Sequence, residues 1–305
     1  MNPNLNTLSK CVTKLRSVIP EDAFTAGILG SQRVGNGIVI SADGLVLTIG
    51  YLMTEATDVW LSNADGREIA AHPLAYDQVT GFGLVLPLQT LGLPCMTFGT
   101  SAQLEVGSKV HVVSAREFAA PQDARVLARR EFAGAWEYLL DDAIFAAPAH
   151  PHWSGAALVD ADGKLVGLGS LLVREMIAGE EINANMFVPI DLLKPILDSL
   201  RTQGRADRRP RPWLGIYAVE VTGRVYVTGV VDGGPAQSAD IREGDVITQV
   251  AEHEVNTLPD FYRRLWAIGP AGSGVPLTTL RGGTRRHFNV RSVDRGALLK
   301  RPQAH

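Results

Sequence analysis

The sequence predicts a mainly β protein of at least two folded units, and three observations carry that prediction. The chain has 305 residues with 46% hydrophobic content, more than one average domain and enough to bury two or three cores. The tripeptide Ala-Asp-Gly recurs at 42–44, 64–66 and 161–163, each time between two strand-like runs. Composition then changes at 201–212, RTQGRADRRPRP, where five arginines, one acid and two prolines leave no large apolar group to bury.

Taken in order, the first element is a helix expected over Leu5–Val18, apolar at Leu5, Leu8, Val12 and Leu15, within an N-terminal arm of residues 1–27. The three Ala-Asp-Gly sites read as hairpin turns, because Asp tolerates turn geometry and Gly supplies positive φ. GIVIS and LVLT flank the first, DVWLSN and REIAA the second, ALVD and KLVGL the third. Many short strands with regular turns argue for a barrel or a sandwich. A second helix is expected over Ile190–Leu200, opened by Asp191. Residues 201–211 read as a solvated, arginine-rich linker rather than a phosphate-binding arm. A second unit follows at 212–293, then a tail at 294–305.

Charge is nearly balanced, 29 Lys and Arg against 32 Asp and Glu, which gives no basic face for nucleic acid. The two cysteines, Cys11 and Cys95, exclude a disulfide-rich scaffold. No apolar run is long enough to span a bilayer, and MNPNLNTLSKCVTKLRSVIP lacks a signal-peptide core. The expectation is therefore a cytoplasmic protein, or a periplasmic one if a leader was trimmed from the start.

GNGIVISADGLVLT, then LSNADGREIAAHPLAYDQVTGFGLVL, then SGAALVDADGKLVGL resemble the protease domain of HtrA-type serine proteases over residues 28–200. WLGIYAVE and VTGVVDGGPAQSADIREGDVITQV resemble the PDZ domain that follows it in that family. The resemblance implies a trypsin-like double β-barrel followed by a PDZ domain. It also places Tyr51 where the family has its catalytic histidine, Gly81 where it has its aspartate, and Ser154 at the nucleophile. Ser154 is then a vestigial nucleophile, since a serine hydroxyl needs a base with a pKa near the working pH, and a free phenol titrates at about 10. His152 stands where the family has a glycine of the oxyanion hole. His72, His111, His150 and His152 are the histidines of this region; His150-x-His152, near Asp141 and Asp142, lacks a third ligand at a recognised spacing and reads as surface rather than metal site. No metal or other cofactor is expected.

For the second unit the resemblance implies capture of a peptide C-terminus by the loop Trp213, Leu214, Gly215, Ile216, with a recognition strand Tyr217–Glu220 and a facing helix Leu258–Ile268 opened by Pro259. Phe261 and Leu265 belong either to that groove or to the core, which periodicity cannot separate. The favoured reading is an HtrA-like pseudoprotease that binds peptide or unfolded protein segments, C-termini above all, as scaffold, chaperone-like holder or regulator in protein quality control. The alternative is an active serine endopeptidase using Ser154 with a non-standard base, and a weaker one is a structural subunit. The resemblance further implies a homo-oligomer formed through the N-terminal segment, in which Phe24 is the one aromatic residue to serve it.

Overall fold

The computed structural model describes residues 4–177 and 179–300. The first three residues expected in the N-terminal arm and the last five of the expected tail lie outside the described residues. The chain divides into two compact units. One comprises the chain up to Arg130, Asp142–Asp207 and the chain from Leu299 on; the other comprises Glu131–Asp141 and Arg208–Leu298.

The first unit holds two closed six-stranded barrels. Strands β1 Val12–Val18, β2 Gln32–Val39, β3 Val46–Ile49, β4 Asp58–Ser62, β5 Glu68–Tyr76 and β6 Phe82–Pro87 close in the order β1-β2-β3-β6-β5-β4. Strands β7 Lys109–Val113, β8 Gln122–Gly134, β9 Tyr138–Ala147, β10 Ala157–Val159, β11 Leu165–Ile177 and β12 Glu180–Pro189 close as β10-β11-β12-β9-β8-β7. The Ala-Asp-Gly sites lie between β2 and β3, β4 and β5, and β10 and β11, with Gly44, Gly66 and Gly163 at φ of +86°, +79° and +78°.

Two helix expectations need correction. Over Leu5–Val18 there is one helical turn, Leu5–Leu8, a tight turn Ser9–Cys11, and then β1. The apolar spacing fitted a helix, but from Thr13 onward burial alternates with a period of 2: Thr13, Leu15 and Ser17 point inward, Lys14, Arg16 and Val18 outward. The strand prevails because β1 pairs on both sides, with β2 and β4, and is needed to close the barrel. Arg16 lies 3.9 Å over the Trp60 ring and pairs with Glu68 at 2.8 Å. The helix expected over Ile190–Leu200 is a turn, Ile190–Leu192, and a separate helix, Leu197–Gln203. Pro195, without an N–H and with a ring that crowds the preceding turn, stands between them.

The linker expected at 201–211 is therefore not wholly solvated. Its first residues are helical, Gly204 ends that helix at φ +72°, Ala206 is buried, and Arg201 pairs with Asp43 at 2.5 Å. Nor does the expected tail begin as free chain, since Arg295–Ala297 form a turn and Lys300 donates its backbone N–H to Glu55 at 3.0 Å.

The second unit is a sheet of β13 Ile216–Val221, β14 Arg224–Val230, β15 Val246–Val250, β17 Gly274–Arg281 and β18 Thr284–Arg291 in that order, with β16 His253–Glu254 paired to β15. The helix Leu258–Ala267 is capped by Thr257, whose side chain accepts the Asp260 N–H, and it buries Leu258, Phe261, Tyr262 and Leu265. Those side chains join Leu214, Ile216, Val225, Ile247 and Val275 in one core. Leu139 and Ala133, from the segment the sequence assigned to the barrel region, pack into the same core.

Candidate functional site

In the first unit the end of β3 leads through Gly50 into the turn Gly50–Leu52, which carries Tyr51. Gly50 is obligatory, because a Cβ there would run into the Tyr76 ring. The Tyr51 Oη lies 2.7 Å from Ser154 Oγ and donates at 2.7 Å to the carbonyl of Ser170. That carbonyl is free for it because Ser170 sits at a bulge, skipped in the β11–β12 register between Gly169 and Leu171. A phenol has one proton. With that proton on the Ser170 carbonyl, the Ser154 hydroxyl must donate to Tyr51, so Ser154 hydrogen-bonds to a neutral oxygen. Burial pushes the Tyr51 phenol up to about 12, with the bonds to Ser154 and its neighbourhood pulling weakly the other way.

Gly81 offers no side chain. It sits at φ +87°, donates its N–H to Asp77 at 2.7 Å and accepts the Gly50 N–H at 2.7 Å. The nearby acid, Asp77, is buried and accepts from the Thr80 N–H at 3.0 Å and its hydroxyl at 2.5 Å. Neither His150 nor His152 hydrogen-bonds Ser154 Oγ among the described residues. His152 stacks on Phe118 with ring centroids 4.8 Å apart. His150, read from sequence as surface, is buried, and its Nδ1 accepts the backbone N–H of His152 at 3.0 Å. That N–H belongs to the residue expected, by the resemblance, at the oxyanion hole, and here it is taken up by His150. Asp141 and Asp142 pair with Arg263 and Arg129 instead of joining the histidines. His111 pairs with Asp123 at 2.8 Å, and His72 lies on β5.

A residue that the sequence reading passed over holds the serine loop. Asn36, fully buried in the middle of β2, donates Nδ2 to the carbonyls of His152 and Ser154, each at 2.9 Å, and accepts the Ala115 N–H at 2.7 Å; its own N–H also reaches Ser154 O at 2.8 Å. The signal was an amide between two glycines, Gly35 and Gly37, ahead of the apolar pair Ile38 and Val39. Gly155, at φ +74°, approaches Asn36 O so closely that any side chain would collide. Beside this loop lies an open, largely apolar cleft of about 800 Å³, lined by Leu127, Pro148, Trp153, Leu172 and Ile182.

In the second unit the backbone N–H groups of Leu214, Gly215 and Ile216 converge as a carboxylate-binding loop. They donate to the carboxylate of Glu137, Gly215 at 2.8 Å and Ile216 at 3.0 Å to Oε1, and Leu214 at 3.2 Å to both oxygens. Gly215 is required there: its φ is +76°, and a Cβ would come within 2.9 Å of the Trp213 ring. The Ala218 N–H donates to Ala135 O at 3.0 Å, so the segment before Glu137 lies along β13. Tyr262 donates to Gly134 O at 2.7 Å and accepts the Glu137 N–H at 3.2 Å. Burial pushes Glu137 up to about 7, against the three amides and Arg295, which favour the charged form. Phe261 and Leu265 are fully buried in the core, and Trp213 is buried at the base of the loop.

The chain matches a trypsin-like peptidase domain over residues 35–168 and a PDZ domain over 212–291. It is 25% identical over 286 residues to a probable periplasmic serine endoprotease, DegP-like, of Halomonas elongata, covering 85% of this chain and 56% of that protein. A protein of the same name from Chlamydia muridarum is 26% identical over 267 residues, covering 82% and 52%. The chain thus spans about half the length of the curated relatives it matches. Among solved structures it resembles the HtrA-type protease AlgW with tripeptide, at 20% identity and a TM-score of 0.56 over 99% of each chain, and the serine endoprotease from Yersinia pestis, at 19% identity and 0.57 over 96% and 99%. These structures share the fold. Among the described residues no helix is long and apolar enough to cross a membrane.

Proposed function

We propose, from the premise that this chain is an HtrA-like serine protease homologue with a trypsin-like peptidase domain followed by a PDZ domain, that it binds peptides without hydrolysing them. The observation that carries this reading is the 2.7 Å contact of Ser154 Oγ with Tyr51 Oη. A general base must take the serine proton as the nucleophile attacks, and a phenol whose own proton is engaged, with a pKa of about 12, is protonated across the working range. Loss of the base alone removes about 10⁶-fold in turnover in a serine protease. Two further features point the same way: Gly81 brings no carboxylate to orient a base, and the His152 N–H is spent on His150. The cleft beside Trp153 remains as a place for an apolar peptide side chain.

The second unit supplies the binding chemistry of the proposal. Three convergent amides match a carboxylate, and β13 stands at the end of its sheet, where the Ala218 N–H bond to Ala135 O marks the line an added strand would take. The ligand class is an extended peptide with a free C-terminus, drawn from unfolded or partner proteins. The relatives are named periplasmic, and we take the periplasm as the compartment in which to look for those partners.

The test is a fluorophosphonate probe, which labels serines activated by a base. The purified chain is expected to leave Ser154 unlabelled under conditions that label an active trypsin-like protease fully, and Ser154→Ala is expected to change nothing in casein hydrolysis. Stoichiometric labelling of Ser154 would establish the endopeptidase instead.

A further inference from the structure

The carboxylate loop of the second unit already has an occupant from the same unit. Glu137 presents both carboxylate oxygens to the amides of Leu214, Gly215 and Ile216, while the carbonyl two residues earlier, at Ala135, takes the Ala218 N–H of β13. That is the pattern a peptide C-terminus would make: a carboxylate in the loop and a strand running back along β13. Here the carboxylate belongs to a side chain, and the chain itself must continue to Tyr138. Glu137 does so at φ +58°, a conformation that non-glycine residues adopt at a cost. The segment is held by more than one group. Tyr262 grips it at Gly134 O and at the Glu137 N–H, Leu139 enters the core, Trp136 stacks on Tyr138 at 5.7 Å, and Arg263 bridges Glu131 and Asp141.

From this we infer that Gly134–Glu137 is a built-in ligand, and that a C-terminal peptide binds this loop only by displacing Glu137. The inference rests on the reading of the loop as a C-terminus receptor and adds the gate to it. Two carboxylates cannot share the three N–H donors, so occupancy is exclusive. The competition is uneven in kind. A chain end delivers its carboxylate without turning, whereas Glu137 reaches the amides from a strained, buried position, so the incoming peptide replaces a strained contact with an unstrained one. Its apparent affinity is its intrinsic affinity multiplied by the fraction of molecules whose loop is open.

The experiment uses the full chain in three forms: wild type, Glu137→Ala, and Glu137→Gly, the last of which also relieves the positive φ and guards against misfolding. Hydrogen exchange of the Leu214, Gly215 and Ile216 amides is followed without peptide. Affinity is then measured for a short fluorescein-labelled peptide ending in valine with a free carboxylate, and for its amidated twin. In both variants the three amides are expected to exchange faster, and the free-carboxylate peptide to bind about tenfold or more tightly than to wild type. Unchanged exchange in both variants would show that Glu137 does not guard the loop and would overturn the gate. Faster exchange with equal affinity for the acid peptide would also overturn the gate while leaving the C-terminus reading intact. Faster exchange with no binding of either peptide to any form would overturn the C-terminus reading, and the gate with it.

Discussion

Tyr51→Phe separates a structural tyrosine from a catalytic one. The substitution keeps the ring and deletes one oxygen, which serves two partners at 2.7 Å, the Ser170 carbonyl and the Ser154 hydroxyl. Their fates differ. Ser154 is half-buried, so its hydroxyl can turn to water, whereas Ser170 is only 5% exposed and its carbonyl, outside the strand register, loses its partner. An unmade hydrogen bond at a buried acceptor costs about 1–3 kcal/mol, and the exposed half adds a fraction of that. In a unit of this size each kcal/mol lowers Tm by about 2–4 °C, so a fall of about 3–10 °C is expected. Differential scanning calorimetry and urea unfolding read the stability, and casein hydrolysis is followed in parallel. The reasoning fails if the variant melts like wild type while a hydrolytic activity present in wild type disappears, because Tyr51 would then be serving the chemistry of Ser154 rather than the packing of the two barrels.

The other outcomes concern the serine loop and the gate. Asn36→Ala removes the side-chain bonds to the His152 and Ser154 carbonyls and from the Ala115 N–H, while the Ser154 carbonyl keeps the backbone N–H of residue 36, and it should cost about 2–4 kcal/mol in urea unfolding; a loss below about 0.5 kcal/mol would mean the loop is held by something else. Glu137 makes the gate pH-dependent. Its pKa in the closed state is raised from 4.5 to about 7, so the closed state keeps a proton that the open state gives up. Closure is therefore fully favoured below about 4.5 and weakens as pH rises through about 7, by about 3 kcal/mol in all. The Tyr217 and Tyr262 phenols, which share its surroundings, are themselves pushed up by burial, away from that range, and the Arg295 guanidinium favours the charged form of Glu137. Peptide affinity should accordingly rise between pH 5 and about 8 and lose that dependence in Glu137→Gln; an affinity that falls with pH in wild type would show that the sign is wrong.

How much of this could be read from residues alone depended on whether the signal was local. The Ala-Asp-Gly turns were legible because each is a complete device, with strands on both sides and glycine at positive φ. The N-terminal strand was not. Leu5, Leu8, Val12 and Leu15 satisfy a helical spacing, and only the demand of the barrel for a strand between β2 and β4 decides against it, a demand made by residues far along the chain. The break at Pro195 was local and could have been read, because the proline stands inside the stretch assigned to one helix.

The two sites follow the same division. The places of Tyr51, Gly81 and Ser154 came from a resemblance in linear motifs, and the structure brings Tyr51 to Ser154 across 103 residues of sequence. What sets the chemistry lay elsewhere: a bulge that frees one carbonyl, an asparagine that fixes two others, and a histidine Nδ1 that takes an amide. Glu137 was harder still. In sequence it is one acid in GAWEYL, and no pattern ties it to an amide loop 77 residues on. Yet its cost is visible once the fold is known, in a carboxylate buried with its pKa pushed up to about 7 on a residue with φ +58°. A structure keeps such a residue only if its partners over-determine it, and the partners here are the three N–H groups that would otherwise be open to a peptide.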